Sequence, residues 1–341
     1  MSDRPPDEAA AFAKALNPVH EDPTGQVTLY QTEDRYQSLL TECFGGRFLD
    51  YRRQWRETSE RGDHGDFPLS LDLAINSGCQ LNCVMCPLKS FAGGRQVRLM
   101  EKRLFQRLMA QAEEHRLPAL TLGLGSEPLL NPAAAQWVGL AVKAGIMDIR
   151  LGTNGLLLNA ENAKALMDNG LTRLEVSVDA ARPETYRAVR GGDLEALERN
   201  IDQFLDLRVK AGLKMPLLRL SFLKLELNRD ELEPFLNRWG SRVDMVSIQE
   251  PIWFPGSSLP RPKNPGRCLA RQCSQPWQRL GITHDGRGWP CCSWHGDKLL
   301  SFSAEEMPLA RIWTSQALDD LRNSLSRTED LIPPPCRLCE C

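Results

Sequence analysis

The sequence predicts an α/β fold: a parallel sheet alternating with helices, followed by a small C-terminal α+β domain. Three observations predict it. Six apolar stretches alternate with five helix-like stretches between residues 71 and 249. Five prolines, Pro251, Pro255, Pro260, Pro262 and Pro265, then interrupt regular structure. Beyond them come one hairpin signal, one helical pattern and seven of the chain's eleven cysteines.

The first 66 residues open irregularly. From about Glu33 to Glu57 a helix is expected, because Phe44, Phe48, Tyr51 and Trp55 recur in steps of four, three and four and so share one face. Such a face packs on a main domain, and Arg61–Asp66 reads as a polar linker. The candidate strands are Leu71–Ile75, Ala119–Leu124, Asp148–Gly152, Arg173–Val178, Leu217–Leu223 and Met245–Gln249. Their apolar richness suits parallel strands buried on both faces. Helices are expected near 101–115, 133–144, 160–168, 194–211 and 230–239, with Asn131 and Asn159 as caps or near-caps. This order implies right-handed crossovers, in a sheet curved into a barrel or an incomplete one. Leu280–Thr283 and Trp289 flank Asp285-Gly286, a hairpin turn signal. A helix fits Leu309–Leu325, where Ile312, Leu318, Leu321 and Leu325 share a face. The expected domains are residues 1–66, 67–255 and 256–341.

A net charge of −2 argues against a broad nucleic-acid footprint. Met1–Ala11 is polar and acidic, without the apolar region of a secretory signal. No apolar run reaches the length of about 18 residues that a membrane span needs. The expected compartment is the cytoplasm. Disulfides are rare there, so clustered cysteines read as metal ligands or catalytic thiols.

One cluster is Cys79, Cys83 and Cys86, spaced C-x3-C-x2-C directly after the first strand. Structural zinc prefers paired C-x2-C units and four ligands, so this triplet fits zinc poorly. Three thiolates can hold three corners of a cubane iron–sulfur cluster and leave the fourth iron open. The triplet, with the bulky Met85 before its last cysteine, resembles the motif of the radical S-adenosylmethionine (radical SAM) superfamily. The resemblance covers about Leu71 to Cys341. It implies a partial parallel (β/α)6 barrel, a [4Fe–4S] cluster on Cys79, Cys83 and Cys86, and a 5′-deoxyadenosyl radical made by one-electron cleavage of SAM. It also implies a flavodoxin- or ferredoxin-type reductant.

Further segments resemble the family in order. Gly125-Ser126-Glu127-Pro128 stands where the family has GGEP, with Ser126 replacing the second glycine; Glu127 and the backbone would contact the SAM amino group. Thr153-Asn154-Gly155 follows the third strand, and Asn154 joins the expected SAM contacts. Ser177-Val178-Asp179 ends the fourth, where the ribose or carboxylate of SAM usually binds. Arg190 matches an arginine that often pairs with that carboxylate. The plainer readings are a strand-end cap for Ser177 and Asp179 and a surface arginine for Arg190. Gly123-x-Gly125 fails as a dinucleotide fingerprint because Pro128 holds the third glycine position.

The C-terminal cysteines resemble a twitch or SPASM-type extension. Cys273, Cys291, Cys336 and Cys339 would hold a second, fully ligated [4Fe–4S] cluster suited to electron transfer. Cys292 competes with Cys291 for that role, and a zinc knuckle uses the same ligand types. Cys268, Cys292 and Cys341 are otherwise idle thiols or hydrogen-atom donors. No catalytic residue is assigned, although Gln249, Glu250, Trp253, Trp294 and His295 fall near the expected mouth.

The resemblance implies hydrogen abstraction from a small polyol, sugar or nucleotide-linked sugar, giving oxidation or epimerisation at a carbinol carbon. Twitch-type dehydrogenases of cyclitols share this cysteine layout. The alternative is a peptide-modifying maturase that crosslinks or epimerises a ribosomal peptide. Such enzymes often carry an N-terminal domain of strands followed by helices, for which residues 1–66 look too short and irregular.

Overall fold

The computed structural model describes residues 18–21, 27–31, 35–86, 88, 97–251, 259, 273–291, 299–326 and 332–337. Strands β1 (Pro18–Glu21) and β2 (Val27–Gln31) precede helices α1 (Arg35–Phe44) and α2 (Gly46–Arg61). The alternating unit then runs β3 (Ser70–Leu73), α3 (Lys102–Glu114), β4 (Ala119–Leu122), α4 (Ala134–Lys143), β5 (Asp148–Thr153), α5 (Ala160–Asp168) and β6 (Arg173–Ser177). It continues through α6 (Pro183–Arg190), α7 (Leu194–Lys210), β7 (Leu217–Leu223), α8 (Leu232–Trp239) and β8 (Met245–Gln249). The C-terminal part holds α9 (Gln275–Gln278), β9 (Arg279–Ile282), β10 (Arg287–Trp289), β11 (Phe302–Ser303), α10 (Leu309–Trp313), α11 (Gln316–Ser326) and α12 (Pro334–Arg337). Among the described residues no helix is long and apolar enough to cross a membrane.

All these strands form one sheet, ordered β1-β2-β8-β7-β6-β5-β4-β3-β9-β10-β11. β3 to β8 are parallel, as expected, each beside its neighbour in sequence. On one face Leu71, Leu120, Leu151, Leu174 and Leu220 pack with helix residues such as Phe105, Trp137, Leu166 and Phe204 into a single core. The opposite face is polar. Asp72, Thr121 and Arg150 stand side by side across β3, β4 and β5, and Glu175 stands opposite Arg219 across β6 and β7. The strands are therefore not apolar on both faces: helices cover one side only, and the other surrounds a cavity.

Asn159 caps α5 as expected, accepting from Asn162 N at 2.9 Å. Asn131 is a near-cap: its Oδ1 accepts from Ala133 N at 3.0 Å, while its Nδ2 donates to Ile75 O at 3.2 Å and ties α4 to β3. The N-terminal helix is two helices, because Gly45 adopts a positive φ of 57° and breaks it. Their apolar face, with Tyr36, Leu40, Phe48 and Tyr51, packs on Leu69, Ala119, Met147, Leu217 and Met245 at the strand starts. α1 and α2 thus plug the N-terminal end of the sheet. β2 pairs antiparallel with β8, so strands at Pro18–Glu21 and Val27–Gln31 stand where irregular chain was expected, ahead of the helical stretch expected from about Glu33 to Glu57.

The hairpin at Asp285-Gly286 forms as expected, with β9 and β10 antiparallel. β9 also pairs parallel with β3, so the sheet runs unbroken into the C-terminal part. The expected helix from 309 to 325 is interrupted at Thr314-Ser315, where Ser315 Oγ accepts from Leu318 N at 3.4 Å. Ile312, Leu318, Leu321 and Leu325 are buried, as the pattern implied.

Candidate active site

The C-terminal ends of β3 to β8 surround a cavity of about 500 Å³. Among the described residues every N-terminal site residue expected from the sequence lines it except Glu250: the three cysteines, Met85, Gly125, Ser126, Glu127, Asn154, Ser177, Asp179, Arg190 and Gln249. Glu250 instead points outward and pairs with Lys224 at 2.5 Å.

The cysteine loop is fixed by its neighbours. Asn76 Nδ2 donates to Glu127 O at 2.7 Å, Gly78 N donates to Asn76 Oδ1 at 2.8 Å, and Glu127 N donates to Gly78 O at 2.8 Å. On the other side, Val84 N donates to Val189 O at 2.9 Å at the end of α6. The thiols already receive donors: Leu81 N at 3.4 Å and Asn154 Nδ2 at 3.6 Å on Cys79 Sγ, and Arg190 Nη1 at 3.8 Å on Cys83 Sγ. Burial nonetheless pushes the Cys79 thiol up to about 11 and raises Cys83 as well, although Arg190 opposes the latter. Bare thiols held protonated are poor nucleophiles; a bound metal would deprotonate them.

Glu127 is buried at the cavity wall. Its Oε1 accepts from Thr153 Oγ1 at 2.7 Å and Leu129 N at 3.1 Å, and its Oε2 accepts from Asn154 N at 2.7 Å. Burial raises its pKa, with these donors pulling back. Ser126 Oγ is buried without a hydrogen-bond partner, in a residue that lines the cavity. Gly123 must be glycine: its φ is 115°, and a Cβ there would lie 2.5 Å from Gly152 O.

Asp179 sits in the left-handed region at φ 61° and is fully buried. Its Oδ1 accepts from Leu223 N at 2.7 Å and its Oδ2 from Arg190 Nε at 2.7 Å. The two residues expected to contact SAM thus pair with one another, and Arg190 reaches the cavity already holding Asp179 and Cys83. Ser177 is half-buried, receiving Ser221 Oγ at 3.4 Å.

Sequence reasoning missed Thr121, Arg150, Glu175 and Ser221, which also line the cavity. The signal was present in Leu-Asp-Leu, Leu-Thr-Leu, Ile-Arg-Leu, Leu-Glu-Val and Leu-Arg-Leu: one polar residue at alternating positions in each strand.

The residues fit an iron–sulfur cluster with SAM. Among the described residues no three thiol, imidazole or carboxylate groups converge on a single ion. The three thiols instead border one roomy cavity, which suits a multi-iron cluster better than a mononuclear site. In the C-terminal part, Cys273 precedes α9, Cys291 follows β10 and Cys336 lies on α12, all half-buried. The supporting elements are tied together by Arg322, whose Nε donates to Pro276 O and Nη1 to Trp313 O, each at 3.0 Å. Cys268, Cys292, Cys339, Cys341, Trp253, Trp294 and His295 lie outside the described residues.

A family model for the Radical SAM superfamily matches residues 73–237, and one for an iron-sulfur cluster-binding domain, SPASM, matches residues 273–340. The GTP 3',8-cyclase of Alkaliphilus metalliredigens is 29% identical over 184 residues, 53% of this chain and 52% of that protein. The probable GTP 3',8-cyclase of Methanococcus aeolicus is 32% identical over 148 residues, 42% of this chain and 47% of that protein. The chain therefore spans about half the length of the curated relatives it matches. Among solved structures, SuiB of Streptococcus suis superposes with a TM-score of 0.63 at 14% identity, over 86% of this chain and 75% of that one. BtrN in complex with AdoMet and 2-DOIA superposes with a TM-score of 0.53 at 15% identity, over 79% and 92%. These two are likenesses of fold. The chain belongs to the radical SAM superfamily, carries a C-terminal SPASM-type iron–sulfur domain, and uses S-adenosylmethionine and [4Fe–4S] clusters as cofactors.

Proposed function

We propose that this enzyme removes hydrogen from a carbinol carbon of a small polyol, sugar or nucleotide-linked sugar and oxidises it to a carbonyl. The observation that carries the reading is the polar inner face of the sheet: Thr121, Arg150, Glu175, Ser221 and Gln249 border the cavity and offer a polar substrate convergent hydrogen-bond partners. When bound, the cofactors supply hydrogen-atom abstraction from carbon and, at the C-terminal cluster, a sink for the second electron.

Cys79, Cys83 and Cys86 would hold the first cluster, and Cys273, Cys291, Cys336 and Cys339 the second. Ser126 and Glu127 would border the SAM amino group, with Met85, Gly125, Asn154, Ser177, Asp179 and Arg190 enclosing the rest. Asp179 keeps Arg190 turned into the cavity, and Glu127 fixes the 153–154 backbone beneath Cys79. The reductant would be a flavodoxin- or ferredoxin-type protein. The domain limits 1–66, 67–255 and 256–341 separate the plug and edge strands, the catalytic sheet and the second-cluster region.

The relatives are mixed in what their names say: GTP 3',8-cyclase is named for a nucleotide, BtrN was crystallised with 2-DOIA, and SuiB with a precursor peptide. One observation favours the peptide reading. Residues 18–61 hold strands then helices, and β1 is the edge strand of the sheet among the described residues, the position at which a peptide strand could add. Against it, these elements are built into the catalytic sheet and its plug rather than a separate module.

The test is anaerobic incubation with SAM, reductant and a panel of polyols and nucleotide sugars. A product two hydrogens lighter, formed with 5′-deoxyadenosine, supports oxidation. A product of unchanged mass in ordinary water that gains one deuterium in heavy water replaces oxidation by epimerisation. Turnover of a peptide alone overturns the small-molecule reading.

A further inference from the structure

Below the cavity, among the described residues, four guanidinium groups on the strands face three carboxylates. Arg279 pairs with Asp72 at 2.9 Å. Arg173 holds Asp148 through two bonds of 2.7 Å. Arg150, at 3.1 Å, and Arg219 both bind Glu175. The first two sets are one to one; the third leaves a cation in excess. Buried charges are normally matched, because an unmatched one loses hydration without compensation.

Of the two arginines on Glu175, both line a small inner space, and only Arg150 also lines the cavity. The Arg150 side chain keeps 26% of its surface. Glu175 takes Nη1 of Arg150, and among the described residues its other nitrogens meet no acceptor. The local balance shows the same shortage of negative charge. Burial alone would raise Glu175, yet Arg219 and Arg150 together hold it below the usual carboxylate value. On Arg219, burial and the repulsion of Arg150 and Arg173 outweigh the attraction of Glu175 and lower its pKa.

We propose that the substrate carries an anionic oxygen group, a carboxylate or a phosphate, and that Arg150 receives it on the cavity floor as a specificity-determining residue. This rests on the small-molecule reading above and narrows it to sugar acids, sugar phosphates or nucleotide-linked sugars. A guanidinium edge matches both anions through paired N–H donors. A neutral polyol would leave the free edge of the Arg150 guanidinium without an anionic partner.

The test is isothermal titration calorimetry on the anaerobically reconstituted protein with SAM, using glucose, glucuronate and glucose 6-phosphate as probes. At least one anion is expected to bind about tenfold or more tighter than glucose. Glucuronate against glucose 6-phosphate tells carboxylate from phosphate. Arg150→Met, which leaves Glu175 paired with Arg219, should abolish the preference. Arg150→Lys should keep part of it, and Glu175→Gln should keep or strengthen it. Iron content and circular dichroism check each variant; should Arg150→Met lose its iron, the other two variants decide. Anions that bind no tighter than glucose, or not at all, overturn the proposal, as does a preference that Arg150 substitutions leave unchanged. Oxidation of neutral polyols without anion preference would overturn the anion assignment alone. Turnover confined to peptides would remove both readings.

Discussion

Replacing Glu127 by glutamine tests whether this carboxylate organises the cavity wall. Three donors converge on it: Thr153 Oγ1 and Leu129 N on Oε1, and Asn154 N on Oε2. A glutamine of the same shape offers one carbonyl oxygen and one NH2. With the oxygen in the Oε2 place, the NH2 confronts Leu129 N–H; turned over, it confronts Asn154 N–H. Either way one backbone N–H loses its acceptor inside a group only 2% exposed. Such an orphan costs about 1–3 kcal/mol. Burial already disfavours the ionised carboxylate, so removing the charge returns part of this, and the expected loss is about 1–2 kcal/mol. Glu127→Ala abandons all three donors and should cost about 3–5 kcal/mol. Urea denaturation of anaerobically reconstituted protein, followed by circular dichroism, should rank the midpoints wild type, Gln, Ala. Because Asn154 also donates to Cys79, both variants should retain less iron at the first site. A glutamine variant within about 0.3 kcal/mol of wild type, or an alanine variant no worse than it, would refute the reasoning.

Asp179→Ala leaves Arg190 buried without its carboxylate and frees Leu223 N; a loss of about 3–5 kcal/mol is expected in the same denaturation assay, and a change under about 1 kcal/mol would show the pair to be dispensable. The triple Cys79/Cys83/Cys86→Ala variant should drop from about eight irons per chain to about four; retention of the full count would place the first cluster on other ligands. Asp72 links β3 to β9 through Arg279. Burial raises its pKa, but Arg279 and then Arg150 outweigh this and hold it below the ordinary carboxylate value. The unfolded chain therefore takes up a proton that the folded chain refuses. The pair's contribution is complete above about pH 4 and fades as pH falls through the folded value. The melting difference between wild type and Asp72→Asn should shrink in acid, and a difference constant from pH 7 to pH 3 would contradict the assignment. Gly123→Ala should prevent soluble expression, since its Cβ would meet a backbone oxygen that cannot retreat; a soluble variant with native melting would show that the sheet can shift there.

Much of this was written in local pattern. The parallel strands were legible because each is a short run of branched or leucine residues after a helical stretch. The cysteine loop was legible because its spacing tolerates few alternatives. Two kinds of feature escaped. Short elements escaped because their stability comes from distant partners: α6, only Pro183–Arg190, is held by the cysteine loop lying along its end, and β2 exists through β8. The inner polar layer escaped because Asp72, Arg150, Glu175 and Arg219 are each a single charged residue between apolar neighbours in a short run. What they share is a face, and a face appears only once the register between strands is known.

The edge pairings carry a consequence for how the chain is made. β2 waits for β8, and β3 for β9, across roughly 200 residues of intervening sequence. During synthesis the segment that becomes the plug emerges early, with Tyr36, Leu40 and Phe48 unsheltered until the strands whose starts they cover have been made. The catalytic sheet therefore closes late and from both flanks at once. A chain cut back to residues 67–255 would present β3 and β8 as naked edges, each a template for pairing with another copy. The outer segments are chaperones of the sheet's own borders as much as they are neighbours of its active site.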